Sequence, residues 1–242
     1  MVGSNTLATS RAAETAREMG YIPYVLTTSL TDEALLVGEQ LATLARFMCR
    51  CILIKTDIDN RNLMRDEISI VQSGVRKQVI NQLIHIAGKA NNTGMPICII
   101  AGGESVVRVT GRGQGGRSQE MTLVCAMHMD RNDEKNQEIK NDFVMQLFSA
   151  GTDGIDGPTP AAGAFVTPKT MEEAQAQDID VQSFLSNNDS FHFFQKLNNG
   201  ANHVITGQTG TNVMDMQLLF IHRLTELTCT ARPVSSMQFH KS

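Results

Sequence analysis

The chain has no tryptophan and only two tyrosines. Single-stranded nucleic acid is held by stacking on aromatic rings, so that platform is missing. No run of Lys or Arg occurs, and the net charge of -4 gives no basic field for a phosphate backbone. These absences exclude nucleic acid as the expected partner. No stretch approaches the ~20 apolar residues of a membrane span. Arg11, Glu14, Arg17 and Glu18 stand where a signal peptide would need its apolar core, so neither a membrane nor an export route is expected. No Cys-x-x-Cys pair exists among Cys49, Cys51, Cys98, Cys125 and Cys229, and the count is odd. That argues against a disulfide framework and for small buried thiols in a reducing compartment. A cytoplasmic location is the expectation; a mitochondrial form would need an N-terminal extension. The six histidines show no ligand spacing, and no G-x-x-x-x-G-K-[ST] phosphate loop occurs.

The sequence is instead rich in glycine at particular places. Most of its 19 glycines fall in three polar segments of the last 140 or so residues: 101–104 (AGGE) with 111–117 (GRGQGGR), then 149–157 (SAGTDGIDG), then 206–212 (TGQTGTN). Each adjoins an apolar run. Glycine allows positive φ and lets backbone N–H groups approach a ligand closely. Such loops at strand ends are where an α/β protein builds an anion site.

Around them the periodicity alternates between helix and strand. Helical spacing covers 6–19, stopped by Gly20, and a strand is predicted at 21–27. A second helix opens at Thr31-Asp32 and runs through Leu35, Leu36, Leu41, Leu44 and Phe47. Residues 57–64 are polar and read as a connection, and 65–90 have helical apolar spacing. A buried strand at 96–101 is followed by a tight Gly-Gly turn into a second strand at 105–110. A helix is predicted at 117–129, a solvated loop at 130–141, and a strand at 143–148. The Pro-containing segment 158–165 reads as a helix start. Short helices follow at 170–176 and 181–195, split at 187–190. Short strands at 203–205 and 216–221 complete the chain. The class is α/β.

Three constellations carry candidate chemistry. The first, 111–120, contains G-x-G-x-x-G at Gly111, Gly113 and Gly116 between a strand and a helix. The acid that a dinucleotide site needs about 20 residues later is missing. Arg112 and Arg117 instead bring guanidinium forks to a helix N-terminus, which suits carboxylate or phosphate; an exposed Gly-rich hairpin is the plainer alternative. The second is the loop 151–157. Asp153 and Asp156 stand three residues apart and could hold Mg²⁺ or accept a hydroxyl proton; self-capping Asp-Gly turns would explain the same residues. The third is 206–215, where Thr209, Thr211 and Asn212 could donate to phosphate oxygens or simply make a hairpin turn. Glu104 is placed to pair with an arginine, and Asn188-Asp189 reads as a helix cap.

Taken in order, these words resemble the C-terminal half of the two-domain glycerate kinases, the MOFRL domain. The matching words are Gly102-Gly103-Glu104, Gly115-Gly116-Arg117 with Gln119-Glu120, Gly151-Thr152-Asp153-Gly154 with Asp156-Gly157-Pro158-Thr159, Ala161-Ala162-Gly163-Ala164, Asn188-Asp189-Ser190, and Thr206-Gly207 with Thr209-Gly210-Thr211-Asn212-Val213. Six words in one order are far more specific than any one alone. The start, Gly3-Ser4-Asn5 and its helix, resembles the end of that family's Rossmann-like first domain. The implied organisation is 1–56 as the end of that domain, 57–94 as a helical connector, 95–228 as the MOFRL-type α/β domain with a mixed sheet and 229–242 as a tail.

The resemblance implies transfer of the γ-phosphoryl group of ATP to D-glycerate with Mg²⁺, and it is compatible with a homo-oligomer. Arg117 would hold the glycerate carboxylate or the transferring phosphate. Asp153 would be base or metal ligand, with Asp156 beside it on the metal. Gly115, Gly116, Thr152, Thr209, Thr211 and Asn212 would cradle the anion. Glu104, Glu120 and Asp189 would orient the arginine and loops, and Gln119 would bind substrate or phosphate. Two departures stand out. Ser118 replaces the family's usual Asn. The family's N-terminal half, with its Gly-Lys-Ala motif, has no counterpart; Gly88-Lys89-Ala90 spells the motif on a helix tail, and its role is not carried over. The chain alone is therefore expected to be at best feebly active. An NAD(P)H-dependent hydroxypyruvate reductase and a non-catalytic module are the alternatives.

Overall fold

The computed structural model describes residues 3–53, 76–130 and 139–224. The expected connection at 57–64, most of the loop at 130–141, the tail from 229 and Cys229 lie outside these residues.

Helix α1 (Asn5–Glu18) begins where the Ser4 hydroxyl accepts from the Leu7 N–H, and Gly20 follows its end at φ +87°. Strand β1 (Ile22–Leu30) and helix α2 (Ala34–Leu53) follow, then α3 (Lys77–Thr93), which Gly94 caps in the left-handed conformation. Strand β2 (Ile97–Gly103) is buried along its whole length, as its unbroken apolar run predicts. After it come α4 (Arg117–Met129), β3 (Phe143–Gly151), β4 (Gly163–Val166), short helices α5 (Thr170–Ala176), α6 (Val181–Ser186) and α7 (Ser190–Lys196), then β5 (His203–Val204) and β6 (Asp215–Arg223).

The strands form one mixed six-stranded sheet in the order β1-β2-β6-β3-β4-β5. Only β1 and β2 are parallel; β6 lies antiparallel between β2 and β3. Consequently the C-terminal ends of β1, β2 and β3 and the N-terminal end of β6 share one edge. Helices α2, α3 and α4 cover one face, burying Phe47, Met48, Leu83, Met121 and Leu123 against Ile97, Ile99, Leu219 and Ile221. Helix α1 covers the other, placing Ala16 on Cys98 and Ile100, with Tyr21 edge-on to Phe220. Residues before 54 and after 94 thus share one core. Among the described residues no helix is long and apolar enough to cross a membrane.

Three expectations fail, each for a local reason. Residues 105–110 do not form a strand; Val106 makes a single bridge to Glu33. The chain leaves the sheet at Gly103, whose φ of +146° and contact with the Leu30 backbone admit no side chain. Residues 158–165 form no helix. Pro158 and Pro160 push their predecessors out of the helical region, and Gly163–Val166 instead pairs with β3. The segment 206–212 is not a hairpin turn, because β3 and β4 lie between β5 and β6. It crosses the edge of the sheet.

Gly38 on α2 sets how closely α4 approaches: an added Cβ would lie 2.5 Å from the Met121 carbonyl oxygen. Gly38→Ala is expected to lower stability by about 1–3 kcal/mol through overpacking, read as a fall in urea midpoint at unchanged slope.

Candidate active site

The shared edge carries the polar residues, and the register shows why. On the face under α4, successive rows across β2, β6 and β3 read Ile97–Ile221–Met145, Ile99–Leu219–Leu147, Ala101–Gln217–Ser149 and Gly103–Asp215–Gly151. Apolar core gives way to a polar row, then to a carboxylate flanked by two glycines. Asp215 is the first residue of β6, and only 2% of its side chain is exposed.

A buried carboxylate needs a partner, and α4 supplies it with its first residue. Arg117 donates from Nε to Asp215 Oδ2 at 2.6 Å and from Nη2 to Oδ1 at 2.9 Å, a bidentate pair. Its Nη1 donates to Glu104 Oε1 at 2.8 Å, so the expected Glu104–arginine pairing forms. The Asp215 hydrogen bond raises the Arg117 pKa above its ordinary value. Burial pushes the Asp215 carboxyl up, against the pull of Arg117. Three of the five guanidinium N–H groups are engaged in these bonds. One on each terminal nitrogen remains for an anion arriving from the half-exposed side.

Asn5 locks this edge from the opposite face. Its Nδ2 donates to the Val213 carbonyl at 2.8 Å and the Asp215 carbonyl at 3.2 Å. A Cβ on Gly102 would lie 2.1 Å from Asn5 Oδ1, which accounts for the first glycine of the Gly-Gly pair.

The N-terminus of α4 holds a carboxylate of the protein itself. Asp156 accepts from the Ser118 N–H at 3.1 Å, the Gln119 N–H at 2.9 Å and Gln119 Nε2 at 3.0 Å. Burial pushes its carboxyl up to about 6. A side chain at Gly116 would strike this carboxylate, with Cβ 2.2 Å from its Cγ. Asp156 is therefore committed to capping α4, and no three His, Cys, Asp or Glu gather as a metal group among the described residues. Gln119 is also structural, its Nε2 reaching Thr159 Oγ1 at 3.1 Å. Ser118 is buried and accepts from Ser149 Oγ at 3.0 Å.

The G-x-G-x-x-G loop is likewise filled from within. The Thr110 and Gly111 N–H groups donate to Asn188 Oδ1, Arg112 N–H to Asn187 Oδ1, Gly113 N–H to the Asn187 carbonyl and Gln114 N–H to Asp189 Oδ1. Asn188 also donates to buried Glu120 at 3.0 Å. Thus Glu120 and Asp189 hold loops, Arg112 is exposed, and Gly115 packs its backbone on Ser190.

The third segment braces the second. Thr152 Oγ1 donates to the Met214 carbonyl at 2.7 Å. Thr209 N–H donates to the Asp153 carbonyl at 3.1 Å, Thr211 N–H to Thr209 Oγ1 at 3.4 Å, and Asn212 Nδ2 to Asp153 Oδ2 at 3.2 Å. Asp153 is half-buried and electrostatically coupled to Asp215. The structure thus brings Arg117, Glu104, Asp153, Asp156 and Asp215 to one edge. Sequence reasoning missed Asp215, Asn5 and Gln217. The available signal was two polar residues on the alternating face that Leu219 and Ile221 continue.

Residues 97–215 match the MOFRL family model. The glycerate kinase of Rattus norvegicus is 33% identical over 92% of this chain and 41% of its own length. The D-glycerate 2-kinase of Thermotoga maritima is 31% identical over 89% and 40%. A crystal structure of glycerate kinase from Thermotoga maritima superposes with a TM-score of 0.61 at 29% identity, covering 92% of this chain and 41% of that one. The chain spans about 41% of the length of the first of these relatives.

Two measurements check this arrangement. Asp215→Ala is expected to cost about 3 kcal/mol, since it strands the guanidinium, whereas Glu104→Gln at the exposed pair costs less than about 1 kcal/mol. Equal losses in chemical denaturation would place the two contacts on the same footing. Asp156 keeps its proton in the folded chain to about pH 6 but releases it near 3.8 when unfolded. Its contribution to stability is complete below about pH 4 and fades as pH rises through 6. Asp156→Asn should flatten that part of the stability profile between pH 4 and 7.

Proposed function

Through residues 97–215 the chain belongs to the MOFRL family, and on that premise we propose that it supplies one wall of a glycerate kinase site, transferring the γ-phosphoryl group of ATP to D-glycerate. The observation that carries this is the half-exposed Arg117, fixed side-on by buried Asp215 and still offering N–H groups from both terminal nitrogens. Phosphoryl transfer asks a protein for positioning and charge neutralisation more than for covalent chemistry. An end-on guanidinium suits either a substrate carboxylate or the equatorial oxygens of the phosphoryl in flight.

Asp153, which lies near Asp215 across Gly151, is the group that receives the hydroxyl proton. In the step, a glycerate hydroxyl oxygen bonds to the γ-phosphorus, the bond to the β–γ bridging oxygen breaks, ADP leaves, and the proton goes to the carboxylate. Around the Arg117–Asp215 pair the carboxylates of Glu104, Asp153, Asp156 and Asp215 itself outnumber the single guanidinium. That surplus favours a nucleotide carried with its cation. Mg²⁺ would neutralise charge on the transferring phosphoryl, and it needs only one or two protein carboxylates when nucleotide phosphates complete its shell. Asp153 and Glu104 have the exposure for that role; Asp156, turned into α4, does not.

The reductase reading loses its footing in the G-x-G-x-x-G loop. The backbone N–H groups of residues 110–114 already donate to Asn187, Asn188 and Asp189. A pyrophosphate would have to displace all of them.

Release of ADP from ATP in the presence of D-glycerate tests the proposal. Turnover that depends on D-glycerate is expected, feeble because the chain supplies only one wall of the site. Arg117→Ala should reduce it at least ~100-fold, in line with loss of a group aimed at transition-state charge. A near-native rate in that variant would remove Arg117 from the chemistry.

A further inference from the structure

Gln217 is 1% exposed, and neither its amide nitrogen nor its amide oxygen has a hydrogen-bond partner among the described residues. A carboxamide can donate twice and accept twice. Leaving such a group unmet inside a protein is destabilising, and the cost persists only where something accounts for it. The surroundings do not look like a packing accident. Gln217 sits one row inside Asp215 on the face beneath the first turn of α4, between Ala101 and Ser149, and Ser149 is tied to Ser118 of that turn. The two positions flanking Asp215 in the outer row are glycines, Gly103 and Gly151. The side chains lying towards the edge from Gln217 are thus Asp215 and the Arg117 it holds. Ser105, two residues past the end of β2 at the same edge, is also 1% exposed with its hydroxyl unpartnered.

We infer that Gln217 is a specificity-determining residue of this site: its carboxamide recognises a ligand hydroxyl while Arg117 holds the same ligand's carboxylate. The chemistry discriminates. A hydroxyl both donates and accepts, as a carboxamide does, whereas a carboxylate or phosphate only accepts. Of the two carboxylates that restrain Arg117, Glu104 is 54% exposed. Exposed ion pairs of this kind are weak beside a buried bidentate one, so a ligand carboxylate can replace Glu104 on Nη1 while Asp215 keeps the guanidinium in place. The inference rests on the hydroxy-acid substrate proposed above and adds the residue that reads its hydroxyl.

The test compares wild type with Gln217→Met, which keeps length and volume but removes both polar atoms. D-glycerate is measured beside 3-hydroxypropionate and lactate, each lacking one of its hydroxyls, by calorimetric titration and melting temperature of the whole chain. Wild type should bind D-glycerate more tightly than at least one of the two. In Gln217→Met that preference should fall at least ~10-fold, to the level of the analogue. The ligand-free variant should melt at or above the wild-type temperature, because an unmet buried group has gone. A structural glutamine gives the opposite pattern: Gln217→Met melts several degrees lower and keeps its preference. That result overturns the inference, as does wild type binding none of the three acids. Hydroxyl discrimination without ADP release would sink the kinase reading and leave Gln217 standing. Turnover that Gln217→Met leaves unchanged would do the reverse.

Discussion

The bidentate ion pair between Arg117 and Asp215 organises this molecule's polar edge. It joins the first residue of α4 to the first residue of β6, two positions 98 residues apart. Asp215 could not be buried without it, since an unpaired carboxylate in that environment would protonate or expel the strand end. With it, β6 can start on a charged residue in the middle of the sheet. The two flanking glycines answer to different neighbours: Gly103 to the Leu30 backbone, and Gly151 to the Ile155 carbonyl oxygen at 2.7 Å from an added Cβ, with Asp153 Oδ1 at 3.0 Å and Asp215 Oδ1 at 3.5 Å. Asn5 completes the fixation by holding the Asp215 carbonyl from the far face. Helix α1 is thereby part of the site's foundation, although it touches none of its chemistry.

A second constraint redirects the usual phosphate logic. A glycine loop leading into a helix normally leaves N–H groups and a positive dipole end for a bound anion. Here Asp156 occupies that end of α4, and Asn187, Asn188 and Asp189 occupy the loop before it. The glycines serve close approach of one protein segment to another. Gly116 meets the Asp156 carboxylate, Gly113 meets Asp189, and Gly157 meets the Gly115 carbonyl. The helix dipole is spent internally, and anion recognition passes to the one side chain that projects from it, Arg117.

This explains what could be read from the sequence. The alternation of helix and strand was legible because periodicity is local, and β2, β3, α1 and α4 fall where it places them. The words carrying Arg117, Glu104, Asp153 and Asp156 were also legible, since glycine beside a charged residue is conspicuous. What each word does was not. Whether Gly116 leaves room for a phosphate or for Asp156 depends on where a loop 40 residues later returns. Asp215 and Gln217 were hidden for a different reason. Only the antiparallel insertion of β6 between β2 and β3 turns their alternation into burial beneath α4, and strand order is a long-range property. The prolines at 158 and 160 are ambiguous in sequence, because a proline fits the first turn of a helix as readily as the approach to a strand.

The balance of charge gives the site its direction. One guanidinium, already neutralised by Asp215 and Glu104, cannot by itself draw in a polyanion; the field at this edge is net negative. Two ways of lifting that barrier are compatible with the geometry, and they are not exclusive. A cation arriving with a polyphosphate converts the surplus carboxylates from repulsive to attractive groups. A carboxylate ligand can also exchange with Glu104, entering as that side chain leaves, so the charge at Arg117 hardly changes. The second route favours small monoanions over larger polyanions, and it assigns the two partners of Arg117 different work. Asp215, buried and bidentate, fixes where the guanidinium stands. Glu104, exposed and monodentate, holds the place that a ligand carboxylate would take.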